Sequence, residues 1–173
     1  EWSDQKWPIF FKEEENKIKK VLHSNQLYNG KETEYLEKEF SKYNKSKYVK
    51  VVGNATQGLH LALAALDIGA GDEVITSPFT YFSTAEAIVQ CGAKPIFVDI
   101  CEDSWCINPK LIEKVINEKT RAIMPVHLYG NVCELDELKA ISKRHSIPII
   151  EDAAEGLGSY YSGRHVGSFG LFS

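Results

Sequence analysis

The amino-acid sequence predicts an α/β fold with a mostly parallel sheet and flanking helices. Two observations carry this reading. From Tyr48 onward, short apolar runs alternate with segments of helical periodicity, the pattern of βαβ units. The run Ile147-Pro-Ile-Ile150, bounded by turn residues, reads as a strand buried on both faces, as parallel strands are. It ends on Glu151-Asp152, which puts two acids where ligands bind in open α/β sheets, just outside the carboxyl ends of the strands.

Taken in order, Glu1–Phe11 is rich in aromatic residues (Trp2, Trp7, Phe10, Phe11, with Pro8 among them). That is too apolar for a free tail, so it is expected to pack on the main body or on a partner subunit. Helical periodicity follows in Glu13–Ser24, with Ile18, Val21 and Leu22 on one face, and in Glu32–Tyr43, with Tyr35, Leu36 and Phe40. Residues 1–46 thus form an amino-terminal helical segment, and residues 47–173 the first part of a larger α/β domain. Strands are predicted at Tyr48–Val52, Glu73–Thr76, Pro95–Val98, Arg121–Pro125 and Pro148–Glu151.

The intervening helices are also legible. Thr56–Leu66 carries Leu59, Ala62, Leu63 and Leu66 at i, i+3, i+4 and i+7, and the Asp67–Asp72 turn ends it. Thr80–Cys91 follows Ser77-Pro78. Pro109–Glu118 has Asn108 as its N-cap. Glu134–His145 has acids early and Lys143, Arg144 and His145 late, as the helix dipole favours.

Composition narrows the function classes. The 173 residues are 43% hydrophobic and 25% charged, with a mean hydropathy of -0.26, as in a soluble globular protein. A net charge of -4 and a pI near 5.8 argue against a nucleic-acid or anionic-membrane surface. Cys91, Cys101, Cys106 and Cys133 are spaced by 10, 5 and 27 residues, matching no zinc or CxxC pattern. Free thiols in a reducing cytoplasm, and no metal, are the expectation. No run approaches the length of a membrane span, and neither G-x-x-x-x-G-K-[ST] nor G-x-G-x-x-G occurs.

Four stretches can carry chemistry. Val51-Val-Gly-Asn-Ala-Thr-Gln-Gly-Leu-His60 runs from a strand into a helix start, whose free N–H groups and dipole suit an anion, with Thr56 and Gln57 as donors. An ordinary tight turn has the same pattern. In Thr76–Thr84, Tyr81 or Phe82 can stack on a flat ring or simply fill core. Pro125–Asn131 offers His127, Tyr129 and Asn131, although a lone histidine there is commonly structural. Asp152 either caps the following turn or pairs with a ligand. An acid at that place can keep a ring nitrogen protonated, as pyridoxal phosphate requires to act as an electron sink.

The succession Gly53-Asn-Ala-Thr-Gln-Gly-Leu-His60, Gly71-Asp-Glu-Val-Ile75, Ser77-Pro-Phe-Thr-Tyr81, Gly92-Ala-Lys-Pro95, Pro125-Val-His-Leu-Tyr-Gly130, Glu151-Asp-Ala-Ala154 and Gly167-Ser-Phe-Gly170 resembles the DegT/DnrJ/EryC1/StrS family of sugar aminotransferases. The resemblance implies the aspartate-aminotransferase-like fold (fold type I), pyridoxal 5'-phosphate as cofactor, a cytoplasmic homodimer, and amino transfer from L-glutamate to a nucleotide-linked keto-sugar. It further implies that the backbone at Thr56 and Gln57 holds the phosphate, that Tyr81 stacks on the ring, and that Asp152 pairs with the ring nitrogen. Gln57 stands in place of a commoner alanine. Glu155 occupies a position near the cofactor's phenolic oxygen where many members have glutamine; members similar to perosamine synthases also have glutamate, which favours a 4-keto-6-deoxyhexose substrate. The family's Schiff-base lysine falls beyond Gly167–Gly170, and no lysine here matches it, so the expectation is the amino-terminal portion of a longer enzyme. A pyridoxamine-phosphate-dependent sugar dehydratase of the same family and a binding paralogue without catalysis remain the alternatives.

Overall fold

The computed structural model describes residues 8–173, so Trp2 and Trp7, expected to pack on the body or on a partner, lie outside the described residues. The chain divides into two compact units. One comprises Glu1–Tyr43 with Lys47–Val51, and the other Asn44–Ser46 with Val52–Ser173.

In the first unit, helix α1 spans Lys12–His23 and most of α2 (Lys31–Asn44) follows. Glu14 begins α1 by accepting the N–H of Phe11 at 2.7 Å, which satisfies one of the donors a helix start leaves over. The apolar residues of both helices are largely exposed, Ile18, Leu22, Tyr35 and Leu36 among them. Tyr48–Val52, expected as a strand, is not one. The Val51 N–H donates to Glu37 Oε1 at 3.1 Å instead of to a neighbouring strand, and Lys50 pairs with the other oxygen of the same carboxylate at 3.1 Å.

The second unit is a parallel sheet with helices on both faces. Strands β1 (Glu73–Thr76), β2 (Lys94–Phe97) and β3 (Thr120–Met124) lie in the order β2-β1-β3, both pairings parallel. The expected strand at Pro148–Glu151 extends this sheet through bridges rather than a full ladder: Ile149 pairs with Ile123 and Asp152 with Val126, both parallel. On its other side Ile150 pairs with Phe172, so residues 171–172 run parallel to it.

Alternation along these strands sorts the core. Val74, Ala122, Met124 and Ile150 pack with Leu59 and Leu63 of α3 (Ala55–Ala65) and with Ala87 and Ile88 of α4 (Ser83–Gln90). Ile75, Ile123 and Ile149 face the other way, onto Ile112 of α5 (Pro109–Ile112) and onto Leu135, Leu138 and Ile141 of α6 (Leu135–His145). The two-residue period of a strand accounts for both clusters.

Helix α5 stops at Ile112, six residues before the expected end at Glu118. Its capping is as expected, with the Asn108 carboxamide accepting the Lys110 N–H at 3.1 Å. Beyond it the chain tightens into i→i+3 turns, Lys114 to Leu111 and Val115 to Ile112. Asn117 draws it further aside by donating to Glu73 Oε2 at 2.7 Å. A short antiparallel pair, β4 (Tyr160–Tyr161) and β5 (Arg164–His165), follows the sheet.

Candidate functional site at the carboxyl edge of the sheet

Parallel strands end together, so β1, β2, β3 and residues 147–152 deliver their following loops to one edge. Helix α3 ends one short loop before β1 begins; its first turn therefore lies toward that same carboxyl edge.

Asp152 is 7% exposed there. Its backbone is fixed between Pro125 and His127, its N–H donating to the Pro125 carbonyl at 2.9 Å and its carbonyl accepting from His127 at 3.0 Å. Its Oδ2 accepts the Thr84 hydroxyl at 2.7 Å, and Oδ1 accepts the Ala154 N–H at 3.3 Å. Thr84 sits in the first turn of α4 and its N–H donates to the carbonyl of Tyr81 at 3.2 Å. Asp152 is thus joined, through one residue, to the backbone of the aromatic expected to stack on a ring. The Tyr81 ring is 64% exposed and lies against Phe82, with centroids 4.5 Å apart.

Thr56 and Gln57 occupy the first turn of α3, as expected, but their N–H groups are not equivalent. Asn54 caps the helix, and its Oδ1 accepts the Gln57 N–H at 2.9 Å. The N–H groups of Ala55 and Thr56 have no intrahelical carbonyl to reach, which leaves them as the donors available to an anion. The Gln57 side chain folds back, its Oε1 accepting the Gly53 N–H at 3.0 Å. A Cβ at position 53 would come within 2.5 Å of that oxygen, so a side chain there would displace the folded-back Gln57 carboxamide.

Glu155 is exposed, and one of its oxygens is already engaged: Oε2 accepts the Tyr129 N–H at 2.7 Å. Tyr129 has φ 53°, a left-handed conformation in which a non-glycine residue is costly. The carboxylate stabilises the loop that holds it. Trp105, also left-handed at φ 59°, meets Tyr129 edge-on at 6.2 Å and Phe79 at 6.1 Å. Loops after three different strands therefore build an aromatic cluster on this edge, which the sequence alone does not show, Tyr129 standing out there as a polar candidate only.

Behind the edge lies a buried hydrogen-bonded pair. His127 and Glu151 are fully buried, with Nε2 and Oε2 3.0 Å apart. The Cys133 N–H donates to His127 Nδ1 at 3.3 Å, which makes Nδ1 the acceptor and leaves Nε2–H to donate to Glu151. Glu151 also accepts the N–H groups of Gly167 (2.8 Å), Phe169 (2.7 Å) and Gly170 (2.5 Å). Burial pushes its carboxyl up, but donation from His127, Gly170 and Gly167 outweighs this and holds it below the usual carboxylate range. This clamp places Gly167–Gly170, and the Ile150–Phe172 bridge sets the residues after them alongside the strand. A Cβ on Gly167, whose φ is 78°, would meet Ser173 Oγ at 2.9 Å.

All four cysteines are free thiols. Among the described residues, no helix is long and apolar enough to cross a membrane, and no cluster of three His, Cys, Asp or Glu residues is placed to hold a metal ion.

An α/β protein with a buried acid, an exposed aromatic and a helix start gathered on the carboxyl edge of a parallel sheet belongs to the class that binds its ligand at that edge. Residues 8–173 match the model of the DegT/DnrJ/EryC1/StrS aminotransferase family, and the chain belongs to that family. It is 42% identical over 153 residues to a pleiotropic regulatory protein of Geobacillus stearothermophilus, covering 88% of this chain and 41% of that protein. An aminotransferase from Psychrobacter cryohalolentis superposes with a TM-score of 0.92 at 42% identity, over 96% of this chain and 42% of its own. NtdA from Bacillus subtilis, solved with bound cofactor PMP, superposes with a TM-score of 0.83 at 34% identity, over 88% of this chain and 35% of its own. The chain thus spans well under half the length of these relatives. The fold shared with them is fold type I of the pyridoxal-phosphate-dependent transferases.

Proposed function

We propose that the whole protein containing this chain is a pyridoxal-phosphate-dependent aminotransferase. It moves an amino group from L-glutamate to a nucleotide-linked keto-sugar, a 4-keto-6-deoxyhexose, for polysaccharide or other deoxyaminosugar synthesis. The observation that carries the reading is Asp152. A carboxylate at a parallel strand's end, nearly buried yet tied to the segment bearing an exposed aromatic, suits a protonated ring nitrogen, and capping the following turn through the Ala154 N–H engages only its Oδ1.

The residues present fit the cofactor. The N–H groups at Ala55 and Thr56, with the Thr56 hydroxyl, suit its phosphate. Gln57 contributes by shaping the turn, since its own N–H is held by Asn54. Tyr81 would cover the ring face, and Asp152 would hold a proton at the ring nitrogen. Glu155 retains Oε1 for the phenolic edge while Oε2 holds Tyr129. When bound, pyridoxal phosphate supplies the electron sink and the carrier for the amino group. The amine that attaches it covalently comes, in this reading, from a lysine outside these 173 residues. A homodimer accounts for the exposed apolar residues of α1 and α2, which the single chain leaves uncovered.

The test is spectroscopic. The purified whole protein should carry the yellow absorption of bound pyridoxal phosphate and lose it on addition of L-glutamate. No response to L-glutamate or to any other amino donor would remove the aminotransferase reading.

A further inference from the structure

We propose that Thr84 is the positioning residue that locks Asp152 and Tyr81 to one another, with Thr80 setting the direction of its hydroxyl. The inference rests on the function proposed above and adds to it a hydroxyl chain that orients the acid.

Thr84 is 1% exposed, and its oxygen has three polar neighbours. These are Asp152 Oδ2 at 2.7 Å, Thr80 Oγ1 at 2.8 Å and the Tyr81 carbonyl at 3.3 Å. A hydroxyl has one proton to give and two lone pairs with which to accept. An ionised carboxylate only accepts, and its bond is the shortest of the three, so the Thr84 proton goes to Asp152. Thr84 must then accept from Thr80, because two hydroxyls 2.8 Å apart share one proton between them. The polarity of the chain is fixed: Thr80 donates to Thr84, and Thr84 donates to Asp152. Thr80 lies in the bend ahead of α4 and reaches the helix's first turn from there.

The consequence is geometric. With Thr84 on Oδ2 and Ala154 on Oδ1, the carboxylate is held in one rotamer, and rotation would break both bonds. The Thr84 N–H meanwhile holds the Tyr81 carbonyl. One residue therefore ties the two segments together, its hydroxyl holding the Asp152 carboxylate and its backbone N–H the Tyr81 carbonyl. Preorganisation of this kind lowers the ordering cost of binding.

The whole protein, loaded with pyridoxal phosphate labelled with 15N in the ring, tests this. The readouts are the 15N resonance and the affinity for pyridoxamine phosphate. In wild type the resonance should be that of a protonated ring nitrogen, and Asp152→Asn should move it to the unprotonated range. Thr84→Val, which keeps the shape and removes the hydroxyl, should move it part of the way and weaken pyridoxamine phosphate binding by about tenfold, the scale of one hydrogen bond to a charged group. Thr84→Ser should restore both readouts. Thr80→Val, one bond further out, should shift both in the same direction by less, and it supplies the reading if Thr84→Val does not fold. If Asp152→Asn moves the resonance while both valine variants match wild type, the positioning role is overturned and the function stands. If Asp152→Asn leaves the resonance unmoved, the proposed function itself falls.

Discussion

Replacing Glu151 by glutamine should cost the whole protein about 3 kcal/mol of stability, although the change is one atom in size. The figure follows from the four donors around the carboxylate. His127 Nε2 and the Gly167 N–H meet Oε2, while the Phe169 and Gly170 N–H groups meet Oε1. Whichever way a carboxamide is turned, its NH2 faces two donors, so two bonds are lost and two buried donors are left unsatisfied. His127 cannot adapt by switching tautomer, because its Nδ1 already accepts from Cys133. Two bonds to a charged group at about 1.5–3 kcal/mol each give the estimate, taken at the low end because some donors will find water. Urea unfolding of wild type and Glu151→Gln, followed by circular dichroism, measures it. A difference below about 1 kcal/mol would refute the clamp.

The same carboxylate sets a pH dependence whose sign is fixed. Its carboxyl is held below the usual range in the folded protein, so its contribution is present above the unfolded value of about 4.3 and is lost as pH falls through the lower folded value. Wild type should lose stability steeply below about pH 4, and Glu151→Gln should show a shallower slope there.

Other perturbations separate the parts of the edge. Asn54→Ala should lower stability by about 1 kcal/mol through loss of the cap without abolishing cofactor binding, since it frees the Gln57 N–H for the phosphate; thermal unfolding and cofactor titration measure the two effects. Gly167→Ala should destabilise by about 1–2 kcal/mol, because its left-handed backbone disfavours a side chain and the new Cβ meets Ser173 Oγ at 2.9 Å; the urea midpoint tests it. Glu155→Gln should move the pH titration of the bound cofactor's absorption, and superimposable curves would confine Glu155 to holding the Tyr129 loop.

Much of this architecture was legible because it is periodic. β1, α3 and α6 stand within a residue of their expected positions, since apolar spacing and helix capping are local signals. Tyr48–Val52 misled for the complementary reason. Its composition suits a strand, but a strand also needs a partner, and Glu37, fourteen residues earlier, takes the Val51 N–H. The shortening of α5 depends on Asn117 reaching Glu73, forty-four residues away. The site divides in the same way. Asp152 could be singled out from its place at a strand end. That Thr84 would meet it across sixty-eight residues, or that Glu155 would hold the Tyr129 N–H, follows only once the strands are aligned. Two threonines four residues apart, one in the bend before α4 and one in its first turn, are too common near helix starts for that spacing alone to mark them.

The adjacent acids Glu151 and Asp152 show how one strand end serves two purposes. Successive side chains on a strand point to opposite faces, and the core confirms the phase: Ile149 lies in the α6 cluster and Ile150 in the α3–α4 cluster. Continuing the alternation, Glu151 turns toward the α6 side, where His127 and the Gly167–Gly170 backbone enclose it. Asp152 turns toward α4, where Thr84 meets it. Four donors saturate the first carboxylate, which has nothing left to offer a ligand, whereas the second accepts two and keeps capacity to spare. The acid that can act on a ring nitrogen is therefore distinguished from its neighbour by the face it occupies rather than by its chemistry. The saturated one fixes the Gly167–Gly170 segment, and the other keeps acceptor capacity at the strand end.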